Sequence, residues 1–227
     1  MEFEVVLNTG NPGKAREISR IAAERQGLRR VIRVVSLYEA TGVKLDVDED
    51  GLTLRDNAAI KARAAKRALA GFKPKDGVSR IVAADDSGLF VDCLGGRPGV
   101  HTARYAGLDA TQAEKNRKLL EEIASVLQGV SQGVSQGAAR SASFRCAIAI
   151  IFPDGSECFA EGTCAGEISM EPAGDNGFGY DPIFYLPGLR RTMAELTPDE
   201  KNLISHRGIA VRRMIDEIEK HTLGSSI

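Results

Sequence analysis

The stretch "VAADDSGLFVD" (Val82–Asp92) places two carboxylates, Asp85 and Asp86, side by side after an apolar run. The run "SRIVAAD" predicts a buried strand, because short apolar segments of this kind are typical of strands. Side chains alternate between the two faces of a strand, so the two carboxylates should point in opposite directions. We interpret "SG" as a turn at the strand end, where ligands gather in open α/β sheets. One Asp is therefore a candidate to face a ligand, and a plain strand-end turn is the alternative.

Strand and helix patterns alternate along the first half of the chain. "FEVVLN" (residues 3–8) and "RVIRVVSL" (residues 30–37) predict strands, and a helix should run from Pro12, capped by Asn11, to near Gly27. Capping boxes open three later helices. "TLRD" at 53–56 opens a helix to about Ala70, and "TQAE" at 111–114 opens one to about Leu127. "TPDE" at 197–200 opens a helical region to about His221, with a break that could fall at Ser205. "PDGS" between two strand-like runs predicts a hairpin. This order predicts an α/β fold with a mixed sheet.

The composition is that of a soluble globular protein. The chain has 227 residues, of which 43% are hydrophobic and 27% charged, and its formal net charge is −1. We therefore expect one domain over residues 1–227. The balanced charge argues against a nucleic-acid partner, and the lack of an apolar run of about 18 residues argues against a membrane partner. The N-terminus lacks signal-peptide features and the cysteines are scattered, so a cytoplasmic protein with reduced thiols is expected.

The segment "QGVSQGVSQG" (Gln128–Gly137) is a short tandem repeat of low complexity. A repeat architecture needs many longer units, so this segment does not indicate one. We expect a flexible, peripheral surface loop.

The loop "NTGNPGK" (Asn8–Lys14) lies between a predicted strand and a predicted helix. Backbone N–H groups and a helix N-terminus favour anions, and Lys14 adds a positive charge, so the loop has the chemistry of a phosphate cradle. It is not a Walker A loop, because Gly10 and Gly13 are too close together and Ala15 replaces Ser or Thr. An ordinary turn with an exposed lysine is the alternative.

The loop "DVDEDG" (Asp46–Gly51) concentrates carboxylates. A solvated loop is the common explanation of such a charge run. The functional alternative is a Mg²⁺ site, because Mg²⁺ prefers hard oxygen ligands and is typically held by one or two carboxylates plus substrate phosphates.

Two late stretches carry aromatic and cationic side chains. In "GFGYDPIF", Phe178 and Tyr180 could stack on a base and Asp181 could accept a hydrogen bond, or the rings could pack the loop against the core. "EKNLISHRG" offers cationic donors suited to a phosphate or a purine O6, and the alternative is a solvated helix face. Together with the phosphate loop and the carboxylates, these stretches indicate metal-assisted phosphoryl or pyrophosphoryl transfer.

Six stretches resemble the inosine triphosphate pyrophosphatase family, in the family's order from Thr9 to Ala210. They are "TGNPGK-x-x-E", "DGLT-x-x-x-NA-x-x-KA", "ADDSGL-x-VD-x-LGG-x-PG", "ARYAG", "EPAG-x-x-GFGYDP-x-F" and "AEL-x-x-x-EKN-x-ISHRG-x-A". The resemblance implies hydrolysis of ITP, dITP and XTP to the monophosphate and pyrophosphate with Mg²⁺. It also implies an α/β fold with two lobes around a long mixed sheet, a central active-site cleft, and a homodimer.

The resemblance assigns roles to residues at matching positions. Asp86 resembles the catalytic base and a metal ligand, and either Asp48 or Glu49 resembles the second metal ligand. Ser87 resembles a substrate contact. The other positions that resemble substrate contacts are Thr9, Gly10, Asn11, Pro12, Gly13 and Lys14 (triphosphate), Phe178, Gly179, Tyr180 and Asp181 (nucleoside side), and Lys201, His206 and Arg207 (base and phosphate). As a mechanism, we expect Asp86 to orient or deprotonate a water that attacks the α-phosphorus.

Two other functions stay open at this point. A related pyrophosphatase of the septum-formation family would act on dTTP or UTP, and a pyrimidine substrate panel would identify it. A non-enzymatic nucleotide-binding module would bind nucleotides without releasing pyrophosphate.

Overall fold

A computed structural model of the chain describes residues 2–24, 32–128 and 140–224. The predicted end of the first helix at Gly27 and all but the first residue of the predicted loop 128–137 lie outside these residues. The chain forms two compact units, one of Met1–Asp86, Cys146–Gly162 and His206–Ile227, the other of Ser87–Arg145 and Thr163–Ser205. Across the described ranges, no helix is both long and apolar enough to cross a membrane.

The described residues contain eight strands of one mixed sheet and six α-helices. The strands are β1 (Glu2–Leu7), β2 (Ile32–Ser36), β3 (Val78–Val91), β4 (Pro98–Gly99), β5 (Ser141–Ile151), β6 (Glu157–Ile168), β7 (Phe184–Leu186) and β8 (Arg191–Thr192). The helices are α1 (Pro12–Glu24), α2 (Leu37–Thr41), α3 (Leu54–Ala68), α4 (Gln112–Gln128), α5 (Pro198–Ile204) and α6 (His206–Gly224). The strand order is β2-β1-β3-β5-β6-β7-β8, with β4 beside β3. β1 pairs in parallel with β2 and β3, whereas β3–β4, β6–β7 and β7–β8 are antiparallel. The predicted α/β class with a mixed sheet and flanking helices is confirmed.

In the first unit, both faces of the sheet are covered by helices. Odd-numbered residues of β1 and β3, such as Val5 and Ile81, share an apolar cluster with side chains of α1 and α6. Even-numbered residues, such as Val6 and Val82, share a second cluster with the alanines of α3. Strands that are buried on both faces read as continuous apolar runs, which explains the sequence pattern here.

The second unit has an apolar core of its own. It joins Leu89 of β3, Phe144 of β5 and Phe184 of β7 with Leu119 and Ile123 of α4. The core therefore fixes the later part of β3 against α4 and the irregular segment before β7.

Strand β3 is longer than the sequence predicts, and the "SG" interpretation is corrected. Ser87 and Gly88 continue the strand, which ends only at Val91. A Cβ atom on Gly88 would lie 2.4 Å from the carbonyl oxygen of Gly99. Glycine at this position therefore allows β4 to approach β3 closely and does not form a turn. Strand β1 does end here, since its last pair joins Leu7 to Ala83. Asp85 and Asp86 therefore lie just past the carboxyl end of β1, in mid-strand of β3.

The predicted capping boxes are present. The Thr53 and Thr197 hydroxyls accept N–H groups three residues on, and Asp56 and Glu200 accept the cap N–H groups in return. A similar pair joins Thr111 to Glu114. Each such cap is worth about 1 kcal/mol of helix stability. The break near Ser205 is also confirmed, because α5 ends at the residue before it and α6 begins at the residue after it.

Candidate active site

Asp85 extends the odd-numbered face of β3, toward α1 and α6. Its Oδ2 lies 3.0 Å from Lys14 Nζ and 3.7 Å from Arg207 Nε. The Arg207 guanidinium also pairs with Glu17 Oε2 at 2.5 Å. We call Lys14, Glu17, Asp85 and Arg207 the Asp85 cluster. It contains two cations and two anions, so its charges balance.

Asp86 extends the opposite face, toward α3. Its Oδ1 lies 3.2 Å from Lys61 Nζ, and its Oδ2 accepts a hydrogen bond of 3.2 Å from Asn57 Nδ2. Lys61 Nζ also lies 3.0 Å from Glu49 Oε1. We call Glu49, Asn57, Lys61 and Asp86 the Asp86 cluster. It contains two carboxylates and one ammonium group, and the charge of Lys14 also acts on Asp86. The opposite directions predicted for the two carboxylates are confirmed.

The two carboxyl groups have opposite pKa shifts. Burial acts to raise the pKa of Asp85, but the charges of Lys14 and Arg207 outweigh it and hold that pKa well below its usual range. Burial raises the pKa of Asp86. The positive charges of Lys61 and Lys14 oppose the rise without cancelling it, and the negative charge of Glu49 adds to it. Asp85 is therefore a permanent anion that holds cations, whereas Asp86 has the higher proton affinity that a general base needs.

Lys61 stays protonated in this cluster. Burial acts to lower the pKa of Lys61, but the charges of Asp86, Asp85 and Glu49 outweigh it and raise the pKa above its usual value. The backbone carbonyl of Lys61 also accepts a hydrogen bond of 3.0 Å from Asn8 Nδ2, which ties α3 to the end of β1. Lys61 is thus a fixed positive charge between two carboxylates.

The predicted phosphate loop begins where β1 ends. The Asn11 side chain accepts the N–H groups of Gly13 at 2.8 Å and Lys14 at 3.2 Å, so it caps α1 as predicted. The N–H of Asn11 itself donates to Thr9 Oγ1 at 3.3 Å. Gly10, Asn11 and Pro12 are exposed. The loop is thus locally braced and open to solvent, and Lys14 extends from it to Asp85.

The acidic loop reaches the Asp86 cluster through Glu49. Asp48 is exposed, whereas Glu49 is half-buried and pairs with Lys61. The N–H of Gly51 donates to Asn57 Oδ1 at 2.8 Å, which fixes the end of the loop against α3. Of the two residues considered for the second metal ligand, Glu49 is the one placed near Asp86.

The donor set of the Asp86 cluster suits a divalent cation. Within the described ranges, no group of three His, Cys, Asp or Glu side chains is arranged as a metal site. Glu49 and Asp86 nevertheless converge on one ammonium group. One or two carboxylates are what typically hold Mg²⁺ when phosphate oxygens and water supply its other ligands.

In the second unit, Asp181 organises the "GFGYD" loop. Its buried carboxylate accepts the N–H of Phe178 at 2.8 Å and lies 2.7 Å from Lys201 Nζ. Lys201 Nζ also lies 4.7 Å from the centre of the Phe178 ring. A Cβ atom on Gly177 would come within 2.2 Å of Asp181 Oδ2, so this glycine cannot be replaced without moving the carboxylate. The structure therefore brings Phe178, Asp181 and Lys201 together, as the sequence motifs suggest.

Tyr180 has a different environment from Phe178. Its side chain is 3% exposed and belongs to the apolar core of the second unit, and its hydroxyl donates to the Thr102 carbonyl at 3.2 Å. Packing against the core, the alternative considered for these aromatics, is what the structure shows for Tyr180. Gly179 has a φ of +69° and its carbonyl lies 3.5 Å from Asn116 Nδ2. Tyr180 therefore anchors the loop in the apolar core of the second unit, and the Gly179 carbonyl joins it to Asn116 of α4.

The cationic stretch is not a solvated helix face. Lys201, His206 and Arg207 are 5%, 4% and 2% exposed, and Lys201 and Arg207 are ion-paired. His206 begins α6, and Ser87 is half-buried in β3. The structure thus places Lys201 with Asp181 in one unit and Arg207 with Asp85 in the other.

Sequence reasoning assigned no role to Asn57, Lys61 or Glu17. All three stand inside the matched motifs, and Asn57 and Lys61 are four residues apart, which puts them on one face of a helix. The four-residue spacing of Asn57 and Lys61, just after the acidic loop, is the sequence signal that could have identified these two residues.

Comparison with known proteins identifies the family. A family model described as Ham1 family matches residues 5–217. A dITP/XTP pyrophosphatase of Geobacillus kaustophilus is 45% identical over 217 residues, covering 96% of this chain and 95% of that protein. The structure of a Ham1 protein from Coxiella burnetii has a TM-score of 0.77 at 38% identity and covers 96% of this chain and 99% of that chain. The Staphylococcus aureus Ham1 protein has a TM-score of 0.75 at 35% identity, with coverage of 96% and 99%. These matches confirm the family resemblance predicted from the motifs, and the chain belongs to the Ham1 family.

Proposed function

We propose that this protein hydrolyses non-standard purine nucleoside triphosphates (ITP, dITP and XTP) to the monophosphate and pyrophosphate. The observation that carries the proposal is the Asp86 cluster. In it the proton-accepting carboxylate of Asp86 and the carboxylate of Glu49 both pair with the Lys61 ammonium, beside the end of β1. The name of the Geobacillus kaustophilus relative, dITP/XTP pyrophosphatase, supports the reaction and the substrate class.

In the proposed reaction, a water attacks the α-phosphorus and the bond to the β-phosphate oxygen breaks, so that pyrophosphate leaves. Asp86 orients or deprotonates the water, for which its raised pKa suits it. The loop Thr9–Lys14 holds the phosphate chain with backbone N–H groups and the Lys14 ammonium. Glu49 and Asp86 would hold Mg²⁺, which when bound neutralises charge on the phosphates and on the leaving pyrophosphate.

Residues of the "GFGYD" loop and of the start of α6 are proposed for the nucleoside. The Phe178 ring offers a stacking face, and the Asp181–Lys201 pair fixes the loop that carries it. Donors from His206 or Arg207 would meet the O6 of a 6-oxo purine, whereas the 6-amino group of adenine presents the wrong polarity. Ser87 is proposed as a further substrate contact. The proposal therefore favours ITP and XTP over ATP.

A substrate panel tests the function. Pyrophosphate release is measured with ITP, XTP, GTP, ATP, dTTP and UTP, each with Mg²⁺ and with excess chelator. We expect fast release from ITP and XTP, slow release from the other four, and none with the chelator. Equal rates on the purines would contradict the specificity, a pyrimidine preference would identify the septum-formation activity, and tight binding without release would identify a binding module.

We also propose that the protein is a cytoplasmic homodimer. The proposal rests on the family resemblance, and light scattering coupled to size-exclusion chromatography tests the assembly. A mass of about one chain, 24.3 kDa, would contradict it.

A further inference from the structure

Asn57 connects the acidic loop to the strand that carries Asp86. Its side chain is completely buried in the first turn of α3. Its Nδ2 donates to Asp86 Oδ2 at 3.2 Å, and its Oδ1 accepts the N–H of Gly51 at 2.8 Å. A single amide thus spans two segments that lie far apart along the chain.

The chemistry of the two partners calls for a side chain that both donates and accepts, and the Asn57 amide does so. A carboxylate oxygen of Asp86 can only accept and the N–H of Gly51 can only donate, so the side chain between them must offer one donor and one acceptor. Aspartate would offer no donor when ionised, and leucine, of similar size, would offer neither. The orientation of the Asn57 amide follows from these partners.

At Gly51 the acidic loop approaches Asn57 too closely for a side chain at that position. A Cβ atom on Gly51 would lie 2.6 Å from Asn57 Oδ1 and 2.6 Å from the Cβ of Asp56. Glu49 is two residues before this fixed point, and Lys61, one helical turn after Asn57, pairs with both Glu49 and Asp86. Asn57 and Lys61 together set how far apart the two carboxylates lie.

We propose that Asn57 is a positioning residue: its amide holds the acidic loop and Asp86 at the separation at which Glu49 and Asp86 bind one divalent cation. The role rests on the proposed function, in which that cation serves pyrophosphate release. Asn57 touches neither substrate nor cation and acts through Asp86 and the loop backbone.

The test measures two quantities on three variants. The Mn²⁺ affinity of the nucleotide-free protein is measured by electron paramagnetic resonance, and kcat and KM for ITP are measured by pyrophosphate release. Asn57→Leu removes both hydrogen bonds at similar size, and Asn57→Asp keeps an acceptor for Gly51 but removes the donor to Asp86. Leu69→Ala is the control, because it disturbs the buried end of the same helical segment away from the acidic loop.

We expect Asn57→Leu to weaken Mn²⁺ binding at least tenfold and to lower kcat at least tenfold, with KM changed less than threefold. Asn57→Asp should lower kcat to a similar extent. Leu69→Ala should lower the unfolding midpoint but leave Mn²⁺ affinity and kcat within twofold of the wild type. A purely structural role predicts that the Asn57 variants behave like Leu69→Ala, which would overturn the proposal.

The two proposals fail in different ways. A wild type that binds Mn²⁺ but releases no pyrophosphate from any triphosphate refutes the function, while weaker Mn²⁺ binding by Asn57→Leu would still support the positioning of the carboxylates. An active wild type with Asn57→Asp at full kcat, or Asn57→Leu at full Mn²⁺ affinity, refutes the positioning role and leaves the function intact. If Asn57→Leu does not fold, Asn57→Asp decides the matter through kcat alone.

Discussion

The carboxylates of Asp85 and Asp86 leave opposite faces of β3, and each meets a different lysine. Asp85 pairs with Lys14 on the face covered by α1 and α6, and Asp86 pairs with Lys61 on the face covered by α3. Asp85 lies in direct ion-pair contact with two cations, and Asp86 with one, the Lys61 ammonium that it shares with Glu49. Adjacent residues of the same type thus have different electrostatic environments, and the two should respond differently to the same substitution.

Replacement of each Asp by Asn separates structural from catalytic function. Asp85→Asn leaves the buried Arg207 and the half-buried Lys14 with one anion fewer, so we expect the unfolding free energy to fall by about 3 kcal/mol or more. Burial already disfavours the charged form of Asp86, so Asp86→Asn should change stability by less than about 1 kcal/mol, while pyrophosphate release falls at least about 100-fold. Urea unfolding and a pyrophosphate assay measure both. Near wild-type turnover in Asp86→Asn would exclude it as the base.

Lys61→Met tests the cation between the two carboxylates. Without the ammonium, Glu49 and Asp86 repel each other in a partly buried site, so the thermal midpoint should fall in metal-free buffer. Millimolar Mg²⁺ should restore more of that midpoint in Lys61→Met than it adds to the wild type, because a ligand that binds only the folded state stabilises it.

The control is Lys66→Met, on the exposed side of the same helix. It should show the same small Mg²⁺ response as the wild type. An equal Mg²⁺ response in all three proteins would mean that the two carboxylates do not hold the cation.

Local signals in the sequence predicted the elements well, and tertiary contacts explain the failures. Alternation along a strand predicted the divergence of the two carboxylates, and the capping boxes predicted where helices begin. The "SG" turn was wrong, because pairing with β4 overrides the turn propensity of these two residues. The strand predicted to reach Leu37 ends at Ser36, because the capping box of Ser36 and Glu39 opens α2 at Leu37.

The candidate site was predictable only in part. The burial of Arg207 depends on Glu17, which is 190 residues away along the chain, and no local pattern reveals such a partner. The roles of Asn57 and Lys61 depend on which side of α3 faces the sheet, which is decided by packing of its alanines.

Gly88→Ala tests the close approach of β4 to β3. The added Cβ atom would meet the Gly99 carbonyl oxygen at 2.4 Å, so the strands must separate. Such overpacking costs about 1–3 kcal/mol, and we expect the unfolding free energy to fall by that amount. Gly71→Ala is the matched control, because nothing lies within 4 Å of its added Cβ atom, and its stability should stay within about 0.5 kcal/mol of the wild type. Equal stability of the two variants in urea unfolding would show that β4 does not approach β3 in this way.

Glu200 makes stability depend on pH at the start of α5. Hydrogen bonds from Arg191 and from the N–H and hydroxyl of Thr197 lower the pKa of Glu200 from 4.5 to about 2. A carboxyl group with a lowered folded-state pKa stabilises the protein above its unfolded-state pKa, and this contribution is lost as the pH falls through the folded-state pKa. The difference in unfolding free energy between the wild type and Glu200→Gln should therefore be constant above about pH 5 and shrink from about pH 4.5 toward pH 2. Both partners are exposed, so added salt should reduce the difference at neutral pH. A series of urea unfolding curves against pH measures it, and a difference that grows on acidification would contradict the assignment.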